Sequence, residues 1–429
     1  MGNATRRKRK SKANHQAAKP YPEFPLTVHP SGRWCKKHKG TQHYFGPLDD
    51  WQGALERYKH EWPFILQGET PPPAGSLTDA DAYTIRQLCN DFLNSKRRRV
   101  ESGELSPRTL HEYQRTTDLI VDHFRRDLRV DRLQPADFEK FRAKLAKRYG
   151  TVGLRNTINT VRVVFKFAAD QRKIERPVNY GQGFDRPSAK ALRRARDQAG
   201  PRLFEADEIR RILDVLDGKP FPTGTLGDDG EPETMTIRRD PAMRAMILLG
   251  ANCGFGNSDL ANLPQSAVDL ENGWVDFPRV KTEIRRRVPL WPETVVAMQE
   301  AISARPTPAT RDEAGLCFLT MAGNRWVRIQ ESTKDKKPFP IDALSQKFSK
   351  LLKLLKINGR RGLGFYTLRH VFQTVGGDAK DPDAVAAVMG HVDSSMGAVY
   401  RERIADDRLV AVTDIVRVWL FDGEDRSHE

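Results

Sequence analysis

A tyrosine, a histidine and an arginine lie at short spacing in the C-terminal third of the sequence. Arg369 belongs to the string from Tyr366 to His370, His391 follows in a Gly-His pair, and Tyr400 comes nine residues after His391. A phenol is a possible nucleophile, a guanidinium binds phosphate through parallel hydrogen bonds, and an imidazole can transfer protons. These residue types together suit an attack on the phosphorus of a phosphodiester.

Phosphodiester cleavage without a metal ion makes three demands on side chains. The phenol, with an ordinary pKa of about 10, must be activated. Charge that accumulates on the phosphoryl oxygens needs fixed cationic donors, and the leaving 5′ oxygen needs a general acid. Tyr400, Arg369, His391 and Lys281 supply these groups. A covalent 3′-phosphotyrosine would conserve the bond energy, so no cofactor is expected.

This arrangement resembles that of the tyrosine recombinases, the phage integrase family. Their usual order is Arg, Lys, His-x-x-Arg, His or Trp, then Tyr, which is matched here by Lys281, Arg369, His391 and Tyr400. Asp259 corresponds to the acidic residue three positions after the family's first arginine. The resemblance covers about residues 80–420 and implies catalytic roles for the matching residues.

Two positions depart from the family pattern. Tyr366 stands in place of the family's histidine, and a phenol can still hydrogen-bond to a phosphate oxygen. Gly256 stands in place of the first arginine, and loss of such a donor costs on the order of 3–4 kcal/mol in the transition state. Either another arginine fills the place, or activity is weak or absent. The candidates are Arg244, Arg285, Arg286 and Arg287.

Each of these residues also has an ordinary structural interpretation. Tyr400 could be a core tyrosine, and Lys281 a solvated turn lysine. For Tyr366, the sequence favours a packing role and a phosphate contact equally. Asp259 and His370 are expected to support the site, Asp259 by orienting its neighbours.

The segment that must position these residues is predicted to be a mostly helical catalytic domain over residues 203–421. One strand pair, around 274–277 and 286–290, interrupts the helices and carries Lys281 in its turn. Residues 217–238, rich in Gly, Pro and Asp, are typical of a surface insertion. The strongly apolar last helix could dock on a neighbouring subunit or pack on its own domain.

Residues 78–184 are predicted to form a helical core DNA-binding domain, followed by a basic linker at 185–202. Thr78 can cap its first helix, and Ser106-Pro107 begins the second. Apolar residues around Phe138 and Val161 mark two more helices. The basic faces either clasp a duplex or are merely solvated. The expected DNA contacts are Arg97, Arg98, Arg155, Arg162 and Lys166.

The N-terminal region divides into two parts. Residues 1–20 contain seven Lys or Arg and no acid, which is typical of a disordered arm along DNA or of a solubility tail. Residues 21–70 combine turn signals, aromatic residues and a helix from Trp51 to Trp62. Basic residues among those aromatics suit a sheet face lying on DNA, and the module looks like the arm-binding modules of some integrases.

Composition bounds the remaining possibilities. The net charge of +16 over 429 residues favours polyanions, because each phosphate contact releases counterions. No run of about 18 apolar residues exists, so no membrane span is expected. The four cysteines are far apart, which disfavours disulfides and zinc and favours the cytosol. The predicted fold class is mainly α with small β elements, an α+β fold.

The sequence therefore predicts a site-specific DNA recombinase or integrase that acts on double-stranded DNA. As the resemblance implies, four protomers would form a synapse. One alternative is a catalytically impaired DNA-binding relative that acts as a regulator, which Gly256 favours. A type IB topoisomerase would share the chemistry without partner exchange. An architectural protein, finally, would show no covalent adduct at all.

Overall fold

The structure is a computed structural model that describes residues 19–66, 68, 70, 71, 83–226, 232–330, 339–357, 360, 362–391 and 403–422. Thr78, Tyr400 and most of the basic arm lie outside these residues. The chain divides into two compact units. One comprises Met1–Phe92, Thr117–Phe141 and Val161–Phe184, and the other Leu93–Thr116, Arg142–Thr160 and Asp185–Glu429. This division crosses helices, so the domain borders given above stay predictions.

The N-terminal module is a small sheet covered on one face by a helix. Its elements are β1 (Thr27–His29), β2 (Arg33–His38), β3 (Thr41–Pro47) and α1 (Trp51–Leu66), and the strands pair antiparallel in the order β1-β2-β3. Gly32 and Gly40 take left-handed φ angles in the two turns, where glycine carries no steric cost. Phe24, Trp34 and Phe45 are fully buried between sheet and helix. The expected strands and helix are present.

Five helices follow, of which four come from the predicted helical domain. They are α2 (Ile85–Glu101), α3 (Pro107–Phe124), α4 (Pro135–Arg148), α5 (Thr151–Asp170) and α6 (Ala189–Ala199). Ser106 caps α3 by accepting the Thr109 N–H at 3.2 Å. The Phe124 ring packs against the rings of Phe138, Phe141 and Phe165. Apolar spacing therefore predicts the four helices from α2 to α5 well.

The stretch at 185–202, expected as a linker, is largely the helix α6. Ser188 caps it by accepting the Ala191 N–H at 3.1 Å, and its Ala and Arg residues are strong helix formers. None of its side chains is buried. Its apolar face consists of partly buried residues, mostly small ones: Ala191, Leu192, Ala195 and Ala199. So weak an apolar signal explains why the sequence pattern concealed this helix.

The larger unit continues with short helices and two-residue to six-residue strands. Its elements are α7 (Ala206–Leu216), β4 (Phe221–Leu226), β5 (Pro232–Met235), α8 (Pro241–Asn252), α9 (Asn257–Ala261), β6 (Val268–Asp269), β7 (Trp274–Asp276), β8 (Arg287–Pro289), α10 (Pro292–Ser303), β9 (Val327–Gln330), β10 (Phe339–Asp342), α11 (Ala343–Leu354), α12 (Thr367–Val375), α13 (Pro382–Met389) and α14 (Asp406–Phe421). The strand pairs β4–β5, β9–β10 and β6–β7–β8 are antiparallel. Small antiparallel sheets in a mostly helical chain agree with the expected α+β class.

The core of this unit is built around α8, whose residues from Ala245 to Asn252 are all buried. Asp240 caps α8 by accepting the Met243 N–H at 3.2 Å. α12 packs closely on α8, since a Cβ at Gly250 would lie 2.9 Å from the Leu368 side chain. This contact fixes the helix that carries Arg369.

The last helix, α14, packs on its own unit. Its residues Leu409, Val412, Val416 and Leu420 are buried in the same core as α8. The Trp291 indole N–H donates to the α14 backbone at 3.0 Å. Of the two possibilities left by the sequence, the described residues therefore favour packing within the domain.

None of the helices in the part of the chain that the structure describes has the length and the apolar character that a membrane span needs.

Candidate active site

Arg369 lies at the centre of the candidate site. It is only 2% exposed, and its guanidinium donates to the carbonyl oxygens of Gly254 and Met389. Gly254 lies in the segment between α8 and α9, and Met389 is the last residue of α13. Burial and, next in importance, the positive charge of Arg279 lower the pKa of Arg369 to about 10. The side chain thus remains a cation at neutral pH and joins three segments.

Two glycines make this close packing possible. Gly254 and Gly390 both take left-handed φ angles, +60° and +58°. A Cβ at Gly254 would lie 2.7 Å from the Met389 sulfur, and one at Gly390 would lie 2.8 Å from the Arg286 side chain. Any larger residue would push these segments apart, so the glycines set the spacing of the site.

Lys281 lies in the turn between β7 and β8, as expected, and is exposed. The turn is closed by the Glu283 N–H, which donates to the Arg279 carbonyl at 2.7 Å. It is tied to the end of α13 because the Thr282 hydroxyl and Arg279 Nη1 both donate to the Gly390 carbonyl, at 3.1 and 3.3 Å. The structure therefore brings the lysine turn to the residue that precedes His391.

Asp259 joins the start of α9 to the same turn. One carboxylate oxygen accepts the Gly256 N–H at 2.9 Å, and the other accepts from the Val280 N–H at 3.2 Å and from Arg286 at 3.1 Å. The Arg286 side chain is fully buried and stacks over the Phe255 ring, with 4.3 Å from Cζ to the centroid. Burial lowers the pKa of Arg286, whereas the Asp259 charge opposes this shift.

Tyr366 covers Gly256, the position that lacks the family's first arginine. A Cβ at Gly256 would lie 3.1 Å from the Tyr366 ring, which is tighter than ordinary contact. Tyr366 is 48% exposed, and its ring centroid lies 5.6 Å from that of His370 in an edge-to-face arrangement. The aromatic ring therefore occupies the space where a larger side chain at 256 would begin.

The arginines considered as replacements for that residue are differently placed. Arg244 pairs with Asp217 at 2.9 Å, and Arg287 pairs with Asp276 and Asp406 at 3.0 and 3.2 Å. Their donors are thus committed to carboxylates. The remaining two are Arg285, which is exposed, and Arg286, which is buried.

Arg279 is a cation of the site that the sequence analysis did not single out. It is half-buried, and its positive charge lowers the pKa of Arg369 and of His391. For His391, which lies at the surface, partial burial is the larger cause and Arg369 the next. The only sequence signal for Arg279 is its position two residues before Lys281.

Arg97, Arg98 and Arg155 of the expected DNA contacts lie on the surface. All three are exposed, and Arg97 donates to the Asn94 side chain at 2.7 Å. The positions of Arg98 and Arg155 leave their guanidinium groups accessible to a large anion.

The other two expected contacts, Arg162 and Lys166, engage neighbours within the protein. Arg162 donates to the Phe184 carbonyl at 3.0 Å and lies over the Tyr180 ring at 5.1 Å. Lys166 pairs with Asp170 at 2.7 Å. Because that ion pair is exposed, it can exchange partners at little cost.

The N-terminal sheet presents a mixed basic and aromatic face. Arg33, Lys37 and Tyr44 lie on the face away from the core, and the Arg33 guanidinium stacks over the Tyr44 ring at 4.7 Å. Lys36 points the other way and donates to the Tyr58 hydroxyl at 2.6 Å. Only part of the basic set predicted for this face therefore lies on it.

The cysteines Cys35, Cys89, Cys253 and Cys317 are buried and free. Burial raises the pKa of the Cys89 and Cys317 thiols to about 12. In the part of the chain that the structure describes, no cluster of His, Cys, Asp or Glu could hold a metal ion.

Comparisons with known proteins agree with this architecture. Residues 204–405 match the model of the phage integrase family. A structure of the Tn1549 transposon integrase in complex with a circular intermediate DNA matches with a TM-score of 0.51 and 16% identity, over 78% of this chain and 99% of that one. A lambda integrase tetramer bound to a Holliday junction matches with a TM-score of 0.50 and 13% identity, over 90% and 99%. No curated protein sequence matches.

Proposed function

Since the chain belongs to the phage integrase family through residues 204–405, we propose that it is a site-specific DNA recombinase. It would cleave and rejoin double-stranded DNA through a 3′-phosphotyrosyl intermediate on Tyr400. The observation that carries the proposal is the convergence of Arg369, His391 and the Lys281 turn at the end of α13.

The roles follow from the surroundings of each group. Arg369 is a fixed cation that would stabilise the negative charge on the phosphoryl oxygens of the pentacoordinate transition state. Lys281, exposed on an anchored turn, would protonate the leaving 5′ oxygen. His391 and Tyr366, both at the surface, would donate hydrogen bonds to phosphoryl oxygens.

Tyr400 lies close to His391 in the sequence. It follows His391 by nine residues and precedes Arg403, where the described chain resumes before α14. Nine extended residues span up to about 30 Å, so the tether is long enough for attack within one protomer or on a neighbour's phosphate.

DNA binding would involve two surfaces besides the candidate active site. Arg98 and Arg155 are exposed on the helical segment, and Arg33 and Lys37 lie on the open face of the N-terminal sheet. The net charge of +16 favours such contacts. Because the lambda integrase structure is a tetramer on a Holliday junction, we extend the proposal to a tetramer on DNA.

Covalent trapping on DNA of random sequence tests this function without knowledge of the target site. The full chain is incubated with duplexes that carry a central nick within randomised sequence, and adducts that resist detergent are isolated and sequenced. The wild-type chain should enrich a common sequence, since loss of the short strand end prevents rejoining. The Tyr400→Phe variant should give no adduct but should retain binding.

A catalytically impaired DNA-binding relative is the second candidate, and Gly256 is the observation that favours it. It predicts that the wild-type chain binds duplexes as tightly as Tyr400→Phe does and forms no adduct. Absence of adduct from the whole pool would therefore overturn the first proposal and leave the second.

A further inference from the structure

Every phosphoryl transfer of the proposed kind needs more than one cation around the phosphate, and Gly256 removes one of them. Its place is not simply empty, because the Tyr366 ring lies where a side chain at 256 would start. A replacement cation must therefore approach from another segment. It must also be accessible, be near Arg369, and have donors that no carboxylate already occupies.

Arg279, in the hairpin between β7 and β8, meets these conditions. Arg279 is half-buried rather than enclosed, unlike Arg286, whose side chain is wholly buried against Asp259. Among the described residues, no carboxylate forms an ion pair with Arg279. Its guanidinium donates one bond, of 3.3 Å, to the Gly390 carbonyl, so most of its five N–H groups remain available.

The position of Arg279 is fixed by packing as well as by that bond. A Cβ at Gly390 would lie 3.0 Å from the Arg279 Cβ, so the two segments touch at this point. Gly390 directly precedes His391, and the preceding residue, Met389, accepts a hydrogen bond from Arg369. Arg279, Arg369 and His391 therefore surround one end of α13.

From this geometry we propose that Arg279 is a catalytic residue that contacts the scissile phosphate in place of the arginine missing at position 256. The inference rests on the proposed function and specifies one of its parts. Arg279 would donate to a non-bridging phosphoryl oxygen and thus stabilise the charge that grows when Tyr400 attacks. No bond to Arg279 forms or breaks in this step.

The effect of Arg279 on the pKa values of its neighbours supports the same arrangement. After burial, Arg279 is the largest cause of the lowered pKa of Arg369, and it also lowers the pKa of His391. Cations held this close repel one another until an anion lies between them. A phosphate group in the site would remove that repulsion.

The test compares two forms of the duplex enriched from the randomised pool, one with a normal scissile phosphate and one with a methylphosphonate there. The variant is Arg279→Gln, whose amide can still donate to the Gly390 carbonyl. On the normal duplex we expect adduct formation to slow by roughly 10²–10³-fold. A methylphosphonate lacks one charged oxygen, so the loss on that duplex should shrink to less than about tenfold.

Two further variants sharpen the result. Arg279→Lys keeps the charge but not the parallel donors, so it should retain part of the rate. Arg287→Ala is the matched control, because Arg287 lies in the same hairpin and its donors are taken by Asp276 and Asp406. It should change both rates by less than about threefold, in line with the small effect of exposed ion pairs.

Either of two outcomes would overturn the inference. Arg279→Gln could react at the wild-type rate, or it could lose the same factor on both duplexes, as a purely structural residue would. Failure of the proposed function looks different, because the wild-type chain itself would then form no adduct with any duplex of the pool.

Discussion

Arg369 combines a structural role with its proposed catalytic role. Arg369 binds the carbonyl oxygens of Gly254 and Met389, which holds the start of α9 and the end of α13 together. The same bonds orient its guanidinium, because the plane of the group is fixed by two acceptors. A residue that builds the site is therefore also a residue that would act in it, and substitution of Arg369 would mix both effects.

The histidines give a cleaner measurement at the residue scale. Partial burial lowers the pKa of His391 and of His370 below the ordinary 6.5, and Arg369 lowers both further, with Arg279 acting on His391 and Arg202 on His370. The folded chain thus binds protons less readily than the unfolded chain. Stability is present above pH 6.5 and is lost as the pH falls through the lowered values. Thermal unfolding between pH 7.5 and 5.5 should show this loss.

The His391→Asn variant should show a weaker dependence on pH in the same interval, because it cannot take up the proton. His43→Asn, in the N-terminal module, serves as the control and should follow the wild type. An unchanged pH slope in His391→Asn would show that the histidine does not contribute.

At the scale of elements, the hairpin between β7 and β8 depends on one carboxylate. Asp259 binds the Val280 N–H and the buried Arg286 guanidinium, and so holds the hairpin against α9. Replacement by asparagine would leave a buried cation without its counter-charge. The hairpin that carries Lys281 and Arg279 would then lose its main attachment on that side.

We expect Asp259→Asn to lower the free energy of unfolding by about 3–5 kcal/mol. Urea unfolding measures the change. Asp276→Asn is the control, because it removes an exposed carboxylate from the same hairpin and should cost less than about 1 kcal/mol. Equal losses in the two variants would contradict the role given to Asp259.

Signals from neighbouring residues predicted most of these elements, whereas α6 and the role of Arg279 in the site were missed. Ser106-Pro107 marks the start of α3, and the turn with Lys281 lies between the two expected strands, because caps and turns depend on adjacent residues. The helix α6 escaped prediction because its apolar residues are mostly small alanines among many arginines, which is a weak apolar signal. Arg279 escaped it because its partner, Gly390, lies 111 residues later in the sequence.

For the whole molecule, charge is the dominant property. The net charge of +16 includes seven Lys or Arg within residues 1–20. Attraction to DNA phosphates should therefore contribute strongly to affinity in a way that does not depend on sequence. We expect specificity to come from other contacts, for which we propose the N-terminal sheet and the helical segment.

Salt dependence separates the two interpretations of the N-terminal arm. The logarithm of the affinity for a random duplex should fall linearly with the logarithm of NaCl concentration, by about 0.9 per phosphate contacted. Fluorescence anisotropy measures this slope. Replacing the seven basic residues of 1–20 by glutamine should make it shallower. An identical slope would mean that the arm acts only as a solubility tail.

The three guanidinium groups around the end of α13 have a consequence for the protein without DNA. The charge of Arg279 lowers the pKa of both Arg369 and Arg286, and Arg286 also lowers that of Arg369, so folding brings like charges close together. A small oxyanion that binds beside Arg279 and Arg369 in the native chain, but not in the unfolded one, would raise the melting temperature. Inorganic phosphate should raise the melting temperature of the wild type more than that of Arg279→Gln. The melting temperature would thus report how far the site is occupied by phosphate.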